Sequence, residues 1–232
     1  MTVLPAPLRI YLASTDPLKD GGLYQRALEA ASPERREKTL RYRFLKDRRL
    51  SLGAEMLLGK AMADRGLDSR ELRYAYAAFG KPYLPDHPDF HFSISHSEEA
   101  VMLAAADREV GCDIERIRLK KTEFAIARRF FAPEETEMLE QAPEEEQETL
   151  FFRFWTLKES FMKATGEGFH LPPTAFQIVL RPNGSIGVQM NGSELPWSFA
   201  ESGLFPGYRA AVCAENAAAA DWMILDLSAL AN

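Results

Sequence analysis

The 232-residue sequence predicts an α+β fold on three observations. Helical and strand patterns come in blocks instead of alternating singly, as they do in α+β domains. The order helices-then-strands occurs once before about residue 106 and again after it, which divides the chain into halves 1–106 and 107–232. The C-terminal stretch carries Asn183-Gly184 and Asn191-Gly192 between short β runs, the dipeptide that tight hairpins favour. The elements follow in order. Leu8, Ile10 and Leu12 alternate with their neighbours in LRIYLAS, the pattern of a half-buried strand. Ser32 before Pro33 is a helix N-cap with proline in the first turn, and the helical pattern then runs to Gly66 in two pieces. Leu50, Ala54, Leu57, Leu58, Ala61 and Met62 form its core face. Short strands are expected at Leu72–Ala77, Phe90–Ser95, Val101–Ala106 and Glu109–Ile117, with a turn-rich Phe79–Asp89 between the first two. Helices are expected at Glu123–Phe131, Pro133–Gln141 and Glu144–Thr165, where Gly166 supplies the stop.

Composition narrows the function. Hydrophobic residues make up 46% of the chain, enough for a real core. No run reaches the ~20 apolar residues a membrane helix needs, and the N-terminus lacks a signal-peptide layout, so a cytoplasmic protein without a membrane partner is expected. Cys112 and Cys213 are read as reduced core residues. The net charge of −6 argues against a nucleic-acid partner. Yet Arg35–Arg49 carries eight basic and two acidic side chains, either a solvated face or an anion site, and Ala132–Glu148 is its acidic counterpart.

Three clusters carry chemistry. Asp113 and Glu115 lie two apart, so on a strand both carboxylates point to one face, where mutual repulsion raises a pKa or draws in a cation. Glu159 and Lys163 are an i, i+4 pair on a helix otherwise crowded with Phe151, Phe152, Phe154, Trp155, Leu157, Phe161 and Met162, so the charges are expected where that helix meets a cleft. Lys158 sits in the same run, to orient a neighbour or a phosphate. A third carboxylate joining Asp113 and Glu115 would make an oxygen site suited to Mg²⁺. Ser93, Ser95 and Ser97 alternate around His96, small donors for phosphate oxygens or plain edge-strand polars. Adjacent strand residues point to opposite faces, which disfavours a Ser-His nucleophile pair.

The ordered set GKP (Gly80–Pro82), FSISHS (Phe92–Ser97), GCDIE (Gly111–Glu115) and FWTLKESFMKATGEG (Phe154–Gly168) resembles the 4′-phosphopantetheinyl transferases of the surfactin-synthetase-activating type, with SPERREK and GYRAAVC as further matches. The resemblance implies two similar α+β halves related by a pseudo-twofold, with the active site at their interface. It implies transfer of the phosphopantetheine arm of coenzyme A to a serine of an apo acyl or peptidyl carrier protein, releasing 3′,5′-ADP, with Mg²⁺ required. By the same resemblance Asp113, Glu115 and Glu159 match metal-binding acids and Lys163 the lysine over the pyrophosphate. Arg35, Lys38 and Lys81 match basic positions that hold coenzyme A phosphates, Ser95 and His96 phosphate contacts, and Lys158 belongs to the same motif. Glu159 is read as both metal ligand and base for the carrier serine, and a monomer is expected. Ser93 stands where many members have Asn, Cys112 where an aliphatic residue is usual, and Arg35 where some relatives have Lys. The competing readings are a metal-dependent nuclease and a non-catalytic module that binds coenzyme A or docks a carrier.

Overall fold

The computed structural model describes residues 7–69, 73–118 and 123–230. Leu72, where the second expected strand begins, and Met1–Ala6, within the stretch read for a signal peptide, lie outside the described residues. Strand β1 (Arg9–Ser14) is followed by α1 (Gly21–Ala30), α2 (Pro33–Arg41) and α3 (Leu45–Ala63). The short β2 (Ala75–Tyr76) and β3 (Pro82–Tyr83) pair as a ribbon ahead of β4 (His91–Ser97), β5 (Ala100–Ala106) and β6 (Val110–Arg116). Helices α4 (Glu123–Phe130), α5 (Pro133–Gln141) and α6 (Glu144–Thr165) come next, then β7 (Phe176–Leu180), β8 (Ile186–Met190), β9 (Ser193–Glu194), β10 (Ser198–Ser202), β11 (Tyr208–Ala214), β12 (Asp221–Leu225) and the single turn α7 (Leu227–Leu230). The fold is α+β, as expected.

Two sheets form the centre. One has the order β12-β1-β5-β4, the other β10-β11-β6, and β7-β8-β9 makes a small third sheet. Helix α3 covers the outer face of the first sheet, where Leu57, Leu58 and Met62 meet Tyr11, Val101 and Leu103. Helix α6 covers the outer face of the second, with Phe161 and Ala164 in one cluster with Ala211 and Cys213. Between the sheets lies a third apolar layer rich in small residues, including Ala100, Ala104, Ala210 and Ala214, which lets two backbones approach closely.

This layering corrects the reading of β1. Its alternation suggested one wet face, but Ile10 and Leu12 enter the layer between the sheets while Tyr11 and Ala13 pack under α3, so both faces are dry. Helix α1 had no expectation: Asp20 caps it by accepting from the Leu23 N–H at 2.7 Å, but Gly21 and Gly22 mask the helical pattern. The N-cap at Ser32 and the left-handed stop at Gly166 (φ 76°) are as expected. The last strand, β12, runs parallel to β1, so residues 221–225 return to the sheet of the first segment.

Candidate active site

Strands β4 and β6 are edge strands of different sheets, and the serines of β4 join them. The hydroxyls of Ser93, Ser95 and Ser97 accept from the backbone N–H groups of Cys112, Ile114 and Arg116 at 3.1, 3.3 and 3.2 Å. Each bond satisfies a donor that the β6 edge would otherwise leave unpaired. Ser95 also donates to Asp113 Oδ1 at 2.7 Å and Ser97 to Glu115 Oε2 at 2.7 Å, so the seam presents two carboxylates at its rim. Ser93→Ala should strand the buried Cys112 N–H and cost about 1–3 kcal/mol in denaturant unfolding; a loss below about 0.5 kcal/mol would deny the seam this role.

Helix α6 is brought to the seam by Gly111. A Cβ there would stand 2.0 Å from the Ser160 carbonyl oxygen and 2.3 Å from the Ala164 nitrogen, so β6 and the helix backbone touch directly. That contact delivers Glu159 and Lys163 to the acids. Lys163 donates to Asp113 Oδ1 at 2.6 Å and to Ser95 Oγ at 3.2 Å. The expected i, i+4 pair with Glu159 is not made, because the Asp113 carboxylate is within hydrogen-bonding reach of the amine and is itself only 3% exposed. Burial works against the Lys163 charge, but Asp113 together with Cys112 and Glu159 outweighs it and its pKa rises. Asp113 Oδ2 is buried with no partner, an acceptor left open.

Glu159 is pushed up to about 7, chiefly by burial and further by Asp113 and Glu115, with Lys163 the one opposing influence. Glu115 is raised for the same reasons, burial first and then Asp113. These residues line a cleft of about 560 Å³, which Arg35, Lys38, Tyr74 and Tyr76 line as well. Lys38 is lowered by burial and by neighbouring Arg35. His96 lies on the cleft wall, its pKa lowered by burial and then by Lys163. Among the described residues no group of three His, Cys, Asp or Glu side chains forms a ready-made metal cage. The three acids therefore share a cleft without being gathered into one three-ligand cluster.

The chain's comparisons with known proteins agree along its length. Residues 109–213 match the model of the 4′-phosphopantetheinyl transferase superfamily, and residues 17–108 that of the 4′-phosphopantetheinyl transferase N-terminal region. The 4′-phosphopantetheinyl transferase Sfp of Bacillus subtilis (strain 168) is 35% identical over 193 residues, 83% of this chain and 85% of that protein. The chain belongs to the 4′-phosphopantetheinyl transferase superfamily. Psf-1 of Bacillus pumilus, a 4′-phosphopantetheinyl transferase, is 34% identical over 219 residues, 92% of this chain and 93% of that protein. The L-aminoadipate-semialdehyde dehydrogenase-phosphopantetheinyl transferase of Homo sapiens is 29% identical over 198 residues, 76% of this chain and 64% of that protein.

In this 4′-phosphopantetheinyl transferase three expected phosphate contacts are otherwise engaged. Lys158 is 2% exposed, pairs with Glu135 at 2.9 Å and donates to the carbonyls of Pro173 and Phe176 at 2.8 and 2.9 Å. An ammonium has three hydrogens, so Lys158 has none for a phosphate, and it locks α6 to α5 and β7. Lys81 turns from the large cleft to Glu109 at 2.5 Å and to the carbonyls of Val110 and Ala164 at 3.2 and 3.0 Å, capping the end of α6. The Ser95 hydroxyl spends its proton on Asp113 and its lone pairs on Ile114 and Lys163. Sequence reasoning missed Glu55, Tyr74 and Glu135. A lone acid in the apolar pattern of α3 was the available signal for Glu55. No helix among the described residues is long and apolar enough to cross a membrane.

Proposed function

We propose that the enzyme moves the 4′-phosphopantetheine group of coenzyme A to a serine of an apo acyl or peptidyl carrier protein, releasing 3′,5′-ADP. The observation that supports this most is the single cleft whose lining holds both the basic pair Arg35 and Lys38 and the cluster Asp113, Glu115, Glu159 and Lys163. Coenzyme A carries a ribose 3′-phosphate and, a nucleoside away, the pyrophosphate at which transfer occurs. The basic residues take the first and Lys163 the second. The serine O–H gives its proton to Glu159 as the serine oxygen bonds to phosphorus, and the P–O bond to 3′,5′-ADP breaks with its electron pair on the leaving phosphate. Lys163, held by Asp113 and Ser95, balances that charge. His96 offers a further donor along the wall.

Mg²⁺ belongs to this reading, and the donor set suits it: oxygen ligands only, with Asp113 Oδ2 buried and open. Asp113, Glu115 and Glu159 would hold the ion. It would supply charge neutralisation at the phosphates. Mg²⁺ commonly takes one or two protein carboxylates beside substrate phosphates, so a cage of three acids is not required. We further propose that segments 1–106 and 107–232 are halves related by a pseudo-twofold with the cleft between them, and that the enzyme works as a cytoplasmic monomer.

Mass spectrometry tests the reaction. An apo carrier incubated with enzyme, coenzyme A and Mg²⁺ should gain about 340 Da, with 3′,5′-ADP formed in equal amount. A panel of fatty-acid, polyketide and nonribosomal-peptide carriers, none of which gains that mass, would refute the proposal.

A further inference from the structure

Glu55 is 8% exposed on the apolar face of α3, and it is surrounded by donors. It accepts from Ser32 Oγ at 2.8 Å, from Arg35 Nε at 3.0 Å and from Tyr74 O–H at 2.7 Å. The Arg35 guanidinium lies over the Tyr74 ring at 5.4 Å, so one carboxylate and one aromatic face fix it from two directions. Glu55 engages only the inner Nε. The Tyr74 side chain also hydrogen-bonds the Arg35 guanidinium, and Arg35 and Tyr74 both line the cleft. A guanidinium anchored this way offers a planar fork to an anion without losing side-chain entropy on binding. Lys38 beside it adds a charge.

We propose that Glu55, with Tyr74, is the positioning residue that sets selectivity for a 3′-phosphorylated nucleotide, by holding Arg35 aimed into the cleft. This rests on the transferase reading above for the identity of the ligand. Charge density alone would attract any nucleotide phosphate; a fixed fork rewards a phosphate at one place on the ribose.

The test compares 3′,5′-ADP with 5′-AMP by calorimetry on the full-length protein. Wild type should bind 3′,5′-ADP more tightly by about tenfold or more, and Glu55→Gln should remove most of that ratio while 5′-AMP affinity stays within about twofold. The KM for coenzyme A should rise in the variant and that for dephospho-coenzyme A should not. Should Glu55→Gln unfold, Tyr74→Phe keeps the ring, deletes one hydrogen bond to Glu55 and should reduce the ratio by about threefold. Equal weakening of both nucleotides, an unchanged ratio in Glu55→Gln and Tyr74→Phe, or a wild type that does not distinguish them would overturn the inference. Failure to modify any carrier would sink the transferase reading alone, since the nucleotide ratio is read without a carrier.

Discussion

Gly111→Ala should destabilise the protein by about 4 kcal/mol, enough to unfold a domain of ordinary stability at growth temperature. The methyl group has nowhere to go. It would meet backbone atoms of Ser160, Lys163 and Ala164 at 2.0, 2.8 and 2.3 Å, and neither strand nor helix can yield as a flexible side chain would. Helix α6 is also pinned from behind by the Lys158–Glu135 pair, where burial opposes both charges and only their mutual contact and the surrounding hydrogen bonds hold them. Any protein that still folds should have lost activity, because Glu159 and Lys163 ride on the turn that the methyl pushes away. Urea unfolding checks the first part; a loss under about 1 kcal/mol would mean that β6 and α6 do not touch through this glycine.

Glu159→Gln should lower kcat by about 10²-fold or more while coenzyme A affinity stays within a few fold, as expected for loss of a base. Near-normal turnover would remove that role. The same variant should be more stable than wild type, but only at higher pH. The Glu159 pKa is raised from the usual 4.5 to about 7 in the folded protein, so the folded state holds the proton that the unfolded chain gives up. Its contribution to stability is fully present below pH 4.5, fades as pH rises and is lost above about 7. With chelator present, glutamine should therefore gain about 2 kcal/mol over wild type at pH 8 and little near pH 4. A gain of the same size at both values would assign the effect to packing. Activity and stability pull in opposite directions at this residue, as at many active sites.

Much of the site was legible as pairs. Asp113 and Glu115 two apart on a strand, and Glu159 and Lys163 one helical turn apart, follow from the periods of strand and helix, and the structure puts all four in the lining of one cleft. What was not legible is which acceptor each cation takes. Lys163 chooses Asp113 over its helical neighbour Glu159, and Lys158 and Lys81 turn to backbone carbonyls and to the carboxylates of Glu135 and Glu109. Spacing along one element says nothing of the groups a second element brings within 3 Å.

The amino-acid sequence by itself determined the α+β class, most element positions, the helix cap at Ser32, the stop at Gly166 and the acids of β6, because those depend on local backbone preference and side-chain period. Only the tertiary structure decided that β12 runs beside β1, that both faces of β1 are dry, and that the β4 serines clasp the edge of β6. Those outcomes depend on which surfaces lose water together. Burial against a distant segment is a property of the packed chain and leaves no period in the sequence.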